Sequence, residues 1–175
     1  MNEINTGVTP APHKFIGTPS YYLWRHSDFM LRNFPEPAPD YYIDYGFKYA
    51  QRFQEETINQ LSAQGQIWVC EVMTCLQILM EKRLLQSDGK VLESNPKALR
   101  DFAFSAHVEA YWNKEGTAPL YTLPFSDLPK ILFTPDFRDL IRAKSLWQIA
   151  TIMCKLGKYR LAQLFNRTKK DNCHS

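Results

Sequence analysis

The longest run of apolar positions at helical spacing is IWVCEVMTCLQILMEKRLL, from Ile67 to Leu85. At about 100° per residue, Trp68, Val69, Val72, Met73, Cys75, Leu76, Leu79 and Met80 form one wide apolar stripe. The opposite side is only half polar, because Cys70, Thr74, Gln77 and Glu81 share it with Ile67, Ile78 and Leu85. A helix apolar nearly all round is a buried one, so this segment, about residues 65–86, is expected to be the central core helix. Trp68, Val72, Leu76 and Leu79 are expected deep in the core. A membrane span needs roughly 18 apolar residues; Glu71 interrupts this run, and the charge-free stretch Val72–Met80 falls far short.

Two further helices are legible. Over Asp40–Leu61 the residues Tyr42, Tyr45, Tyr49 and Phe53 recur on one face, with Gly46 suited to close approach of a neighbour. Asp40 is placed to cap that helix, and Ser62 or Gly65 to break it before the central one. Asn95 before Pro96 starts a helix over Pro96–Asn113, with Gly116 as its C-terminal cap. Its apolar face is Leu99, Phe102, Ala103, Ala106 and Ala110. Shorter signals complete the chain. SDGK (Ser87–Lys90) reads as a turn; Ser126 and Thr134-Pro135-Asp136 open two short segments with hydroxyl caps; a last run starts at Ser145 and reaches about Phe165.

Around these lie segments of other character. Residues 1–20, with Pro10, Pro12 and Pro19, read as an extended or disordered arm. Tyr21–Phe34 is too aromatic to be free in water and is expected to lie on the body as a short helix or irregular segment. FPEPAPD, residues 34–40, is a stiff extended connector, and 171–175 a tail. No alternating strand pattern, internal repeat or sustained heptad is present. The expectation is all-α: a single-domain irregular bundle of five to seven helices spanning 21–170 around the central helix.

Charge changes this picture in one place. The chain of 175 residues carries a net charge of +3. Nine Lys/Arg and two Asp fall between Arg138 and Ser175, a balance of +7, which leaves −4 on the rest. Such asymmetry points to weak, salt-dependent contact of residues 155–170 with nucleic acid or anionic lipid. The four cysteines Cys70, Cys75, Cys154 and Cys173 have no metal-ligand spacing and read as reduced thiols. With no secretory signal pattern visible, a cytoplasmic location is expected; export by a route that needs no such signal stays open.

Candidate chemistry is sparse. There is no glycine-rich phosphate loop, no G-x-S-x-G, no H-E-x-x-H and no paired C-x-x-C. His107, mid-helix in AHVEAYW, shares a face with Tyr111 four residues on and is a candidate general base or metal ligand; the plain alternative is a hydrogen-bonded core histidine. Its sequence neighbour Glu109 points about 200° away on a helix and is no dyad partner. In an extended segment His26 and Asp28 would lie on one side and could join a metal site, though the spacing is weak as a motif and a cap or surface turn is the favoured reading. Glu56 beside the tyrosine face and Glu71 beside the central stripe would have raised pKa values if buried, as a general acid requires; the favoured, plain alternative pairs Arg52 with Glu56 and sends Glu71 to solvent or a neighbouring cation.

Two functions of different class follow. The first is a helical protein–protein interaction module without catalysis of its own, which implies a protein partner. The second is a small hydrolase in which His107 and Tyr111 work with Glu56, Glu71 or Asp28. No cofactor is expected; a divalent metal held by His26, Asp28 and His107 is the form a metal-assisted hydrolase would take. Nucleic-acid binding ranks third. The discriminating observation is whether His107, His26 and a carboxylate converge at one cleft.

Overall fold

The computed structural model describes residues 7–111, 118–136 and 157–158. The chain falls into two compact units, Met1–Thr134 and Pro135–Ser175, where the sequence pattern groups 21–170 together. In the second unit Gly157 and Lys158 are helical and exposed. The expected Gly116 cap, the run from Ser145 to Phe165, Cys154, Cys173, the tail and all of 155–170 except Gly157 and Lys158 lie outside the described residues. The rest of the account concerns the first unit.

Helix α3, Ala63–Leu84, starts at Ser62, whose Oγ accepts a hydrogen bond from the Gly65 amide at 3.1 Å. Trp68, Val69, Val72, Cys75, Met80 and Leu84 are buried on it. Leu76 and Leu79, expected deep in the core, are half-buried, and Ile67 and Ile78 are exposed. The helix is rolled relative to its apolar stripe because a polar residue takes an inner position: Gln77 is fully buried. Its Oε1 accepts from the Gly17 amide at 2.6 Å, and its Nε2 donates to the Thr18 carbonyl at 2.8 Å. Both ends of the amide are thereby satisfied, which is the condition for burying it. Gly17 has φ +83°, and a Cβ there would stand 2.8 Å from Thr74 Oγ1, so the position requires glycine.

One helical turn further, Glu81 receives the Ala11 amide (2.9 Å), the Tyr21 hydroxyl (2.8 Å) and Arg25 Nε (2.6 Å). Residues 7–19, part of the expected arm, are thus seated on the body, with Val8 buried and a short turn at His13–Phe15. Helix α1, Ser20–Asn33, supplies Arg25, which is fully enclosed and also donates to the Thr9 carbonyl at 2.9 Å. Arg32 bridges Asp28 (2.8 Å) and Glu93 (2.7 Å), and buried Glu93 accepts from the Tyr42 hydroxyl at 2.7 Å. Charge and hydrogen bonding are satisfied together, as buried ions require.

The run over 41–60, labelled α2, is not one regular helix. It is π-helical over Tyr41–Phe47, α-helical over Lys48–Arg52, π-helical over Phe53–Thr57 and 3-10 over Ile58–Gln60. A π turn closes i→i+5 and so displaces the face that a 3.6-residue period would give. Hence Thr57, not Glu56, turns inward, and it meets Thr134 Oγ1 at 2.9 Å. Asp40, expected to cap this run, makes no capping bond; its carboxylate pairs with Arg100. Gly46 does permit the expected close approach, since a Cβ there would stand 2.3 Å from Cδ1 of Tyr22.

A short helix α4, Gly89–Glu93, extends from the expected turn. Helix α5, Pro96–Tyr111, starts as expected, with Asn95 Oδ1 accepting from the Ala98 amide at 3.0 Å, and packs against α3. Helix α6, Asp127–Leu132, follows Ser126, whose hydroxyl makes no cap. Asp127 is instead buried, and accepts from the Ser62 hydroxyl and, at 3.2 Å, from its amide, tying α6 to the start of α3. The described residues are helix, turn and coil with no strand, so the fold is all-α, with six helices around a buried core.

Candidate functional site

The aromatic residues of α2 do not close on one another completely. Tyr41, Tyr45, Tyr49 and Phe53, with Gly46 and Ala50 between them, form one wall of a cavity of about 90 Å³. Tyr22 of α1 closes its side beside Gly46. Opposite, α3 contributes Trp68, Val69, Val72, Met73 and the half-buried Leu76. Helix α5 adds Phe104, His107 and Tyr111.

The rings meet mostly edge to face, the arrangement their quadrupoles favour. Tyr45 and Phe104 stand 5.8 Å apart at 79°, Trp68 and Tyr111 5.1 Å apart at 63°. His107 lies 5.8 Å from Tyr111 and 6.4 Å from Phe104. Trp68 is held in place by donating its indole N–H to the Ala118 carbonyl at 2.6 Å. The π-helical stretches matter here because they set which α2 rings face inward; π turns are frequent at functional sites.

His107 is the polar centre of the lining. Its Nδ1 lies 2.8 Å from the Ala103 carbonyl. A carbonyl only accepts, so Nδ1 carries the proton, and in the neutral ring Nε2 is left as an acceptor. Burial lowers the His107 pKa below its ordinary 6.5, opposed in part by the bond to Ala103. Burial likewise pushes the Tyr111 hydroxyl up to about 12. Tyr22 is also pushed up to about 12 by burial, offset in part by the Tyr41 and Gln77 side chains. Among the described residues no Asp, Glu, Lys or Arg lines the cavity.

The other candidate residues are elsewhere. Glu56 is exposed, rotated outward by the π turn, and Glu71 is exposed on the outer face of α3. His26 and Asp28 belong to helix α1, not to an extended segment, so their side chains diverge by about 200°. Asp28 is buried against Arg32, and His26 is half-buried. Among the described residues no three His, Cys, Asp or Glu side chains are grouped to hold a metal. Of the proposed constellation only His107 and Tyr111 come together. Sequence reasoning missed Tyr22, Tyr41 and Phe104 in the lining; the signal available was the density of rings on both flanking helices. It also missed the Arg25–Glu81 and Tyr42–Glu93 pairs, whose members stand 56 and 51 positions apart, beyond any local pattern.

Comparison with protein families, with curated proteins and with solved structures gave no match.

Proposed function

We propose that the protein is a helical interaction module that acts without catalysis of its own and receives an apolar anchor of its partner in the aromatic cavity. The observation that carries this reading is the composition of the wall. Among the described residues nine of the fifteen that line it carry rings, and the remainder are Gly46, Ala50, Val69, Val72, Met73 and Leu76. Binding sites have this character, mainly apolar with few polar groups. A hydrolase needs an acid or a nucleophile within reach of its base. His107 has neither from Glu56, Glu71 or Asp28, and burial pushes the Tyr111 hydroxyl up to about 12, too weak an acid for the task and not a phenolate near neutral pH.

One observation favours the second reading, a hydrolase. His107 is held as a neutral acceptor at the cavity wall, the form a general base takes. Hydrolysis of p-nitrophenyl acetate and bis(p-nitrophenyl) phosphate by the parent chain and by His107→Gln separates the two. The interaction reading expects neither protein to exceed the buffer rate. A rate above buffer that falls tenfold or more in a folded His107→Gln variant would replace it with the hydrolase.

A further inference from the structure

Residues 7–12 have the character of a docked ligand. Pro10 and Pro12 fix their own φ, and the residue before a proline is held extended. The stretch 9–12 is therefore extended before it meets the body. Val8 is the one side chain of 7–12 that is buried, and it joins the apolar cluster that holds Phe29, Met80 and Leu84.

The body reads the backbone of this stretch at alternate residues. Arg32 Nη1 donates to the Gly7 carbonyl at 3.2 Å and Arg25 Nη1 to the Thr9 carbonyl at 2.9 Å, while the Ala11 amide donates to Glu81 Oε2 at 2.9 Å. A period of two is that of an extended chain. Extended peptides are bound in this way, with main-chain bonds for affinity and a side-chain pocket for specificity. The reading groups are held by the body itself: Arg25 by Glu81 and Asp28, Arg32 by Asp28 and Glu93. Such a site is pre-organised, and the pre-set extended ligand adds little ordering cost.

The same contacts let the stretch leave. Charged and backbone groups regain water on release, so Val8 is the main apolar loss. Further along, Gln77 pins Gly17 and Thr18 on its own account, so 7–12 detaches without unseating α1. We propose that the groove bordered by α1, α3 and α4 accepts residues 7–12 of a second copy of the chain, two copies dimerising by exchange of arms. The sequence seen to fit the groove is the chain's own, and a second copy presents that sequence with every contact kept. Arg25, Arg32 and Glu81 are not among the residues lining the aromatic cavity, so this surface is additional to it.

Two measurements on the full chain test this, with Val8→Asn as a variant whose arm has lost its anchor while its groove is intact. In calorimetry a blocked peptide of residues 5–13 should bind Val8→Asn at least tenfold more tightly than the parent, whose own arm competes. The same peptide carrying Val8→Asn should bind neither. In sedimentation equilibrium the parent should pass from monomer to dimer between micromolar and millimolar concentration, and Val8→Asn should stay monomeric. Should Val8→Asn fail to fold, Val8→Ala keeps the test, with threefold or more preference of the peptide over the parent and dimerisation shifted to higher concentration. Absence of peptide binding by a folded variant, or equal binding of the two peptides, would overturn the groove as a peptide site. Peptide binding beside a parent that stays monomeric, or a dimer indifferent to the change at Val8, would overturn the second copy as its occupant.

Discussion

Single residues carry the sharpest consequences of this structure. His107 was legible in the sequence as a histidine sharing a face with Tyr111, and so was its choice between core and site. What could not be read was that the Ala103 carbonyl takes its Nδ1 proton and that the residue lines a cavity. Its stability linkage has a definite sign. Burial depresses the folded pKa below 6.5, so below the unfolded value the unfolded state binds more protons than the native one. The stability present above about pH 6.5 should be lost progressively as pH falls through the unfolded and then the folded value. Urea unfolding at pH 7.5 and 5 is expected to show this loss, and His107→Gln should flatten that part of the profile; an unchanged profile would place the titration on another group. Gly46 gives a second expectation with two opposed terms. Alanine gains roughly 1 kcal/mol of helix propensity over glycine. Its Cβ, however, would meet the Tyr22 ring at 2.3 Å, and overpacking a tight contact costs about 1–3 kcal/mol. Gly46→Ala is therefore expected to be destabilising in chemical denaturation; a stabilised variant would mean that Tyr22 yields freely.

At the scale of elements, caps and breakers were read well where the device is local. Ser62 and Asn95 each bond the backbone three residues on, as a capping residue should. Asp40 and Ser126 present similar local signals, yet Asp40 is drawn to Arg100 and the Ser126 hydroxyl makes no cap. Long-range partners overrode local preference there. The same competition rolled α3: its apolar stripe runs nearly all round, so the buried face was decided by Gln77 and Glu81 finding partners on residues 7–25. In α2 the miss was one of phase, because period-3.6 reasoning has no means of anticipating π turns. Two substitutions test these devices. Ser62→Ala should cost about 1 kcal/mol as a lost cap, and somewhat more because Asp127 loses a donor. Removing one member of the enclosed Arg25–Glu81 pair, as in Glu81→Gln, should cost about 3–5 kcal/mol. A loss below 1 kcal/mol in thermal or urea unfolding would show that the arm, α1 and α3 are not held by that pair.

For the whole molecule, the all-helical class and the central place of α3 were legible from periodicity, because both follow from local pattern and overall burial. The aromatic cavity was not, since its walls come from four helices between Tyr22 and Tyr111 and its existence depends on how incompletely their rings interlock. That cavity is the central claim, and xenon tests it most directly. Xenon enters apolar cavities, and methyl groups touching it shift in heteronuclear NMR spectra. Under xenon pressure the methyl signals of Val69, Val72, Met73 and Leu76 should move together and saturably, while those of the tightly enclosed Leu84 and Leu99 stay fixed. Uniform small shifts across all six residues, or none, would mean that the rings of α2 and α5 close on α3 and leave no site to occupy.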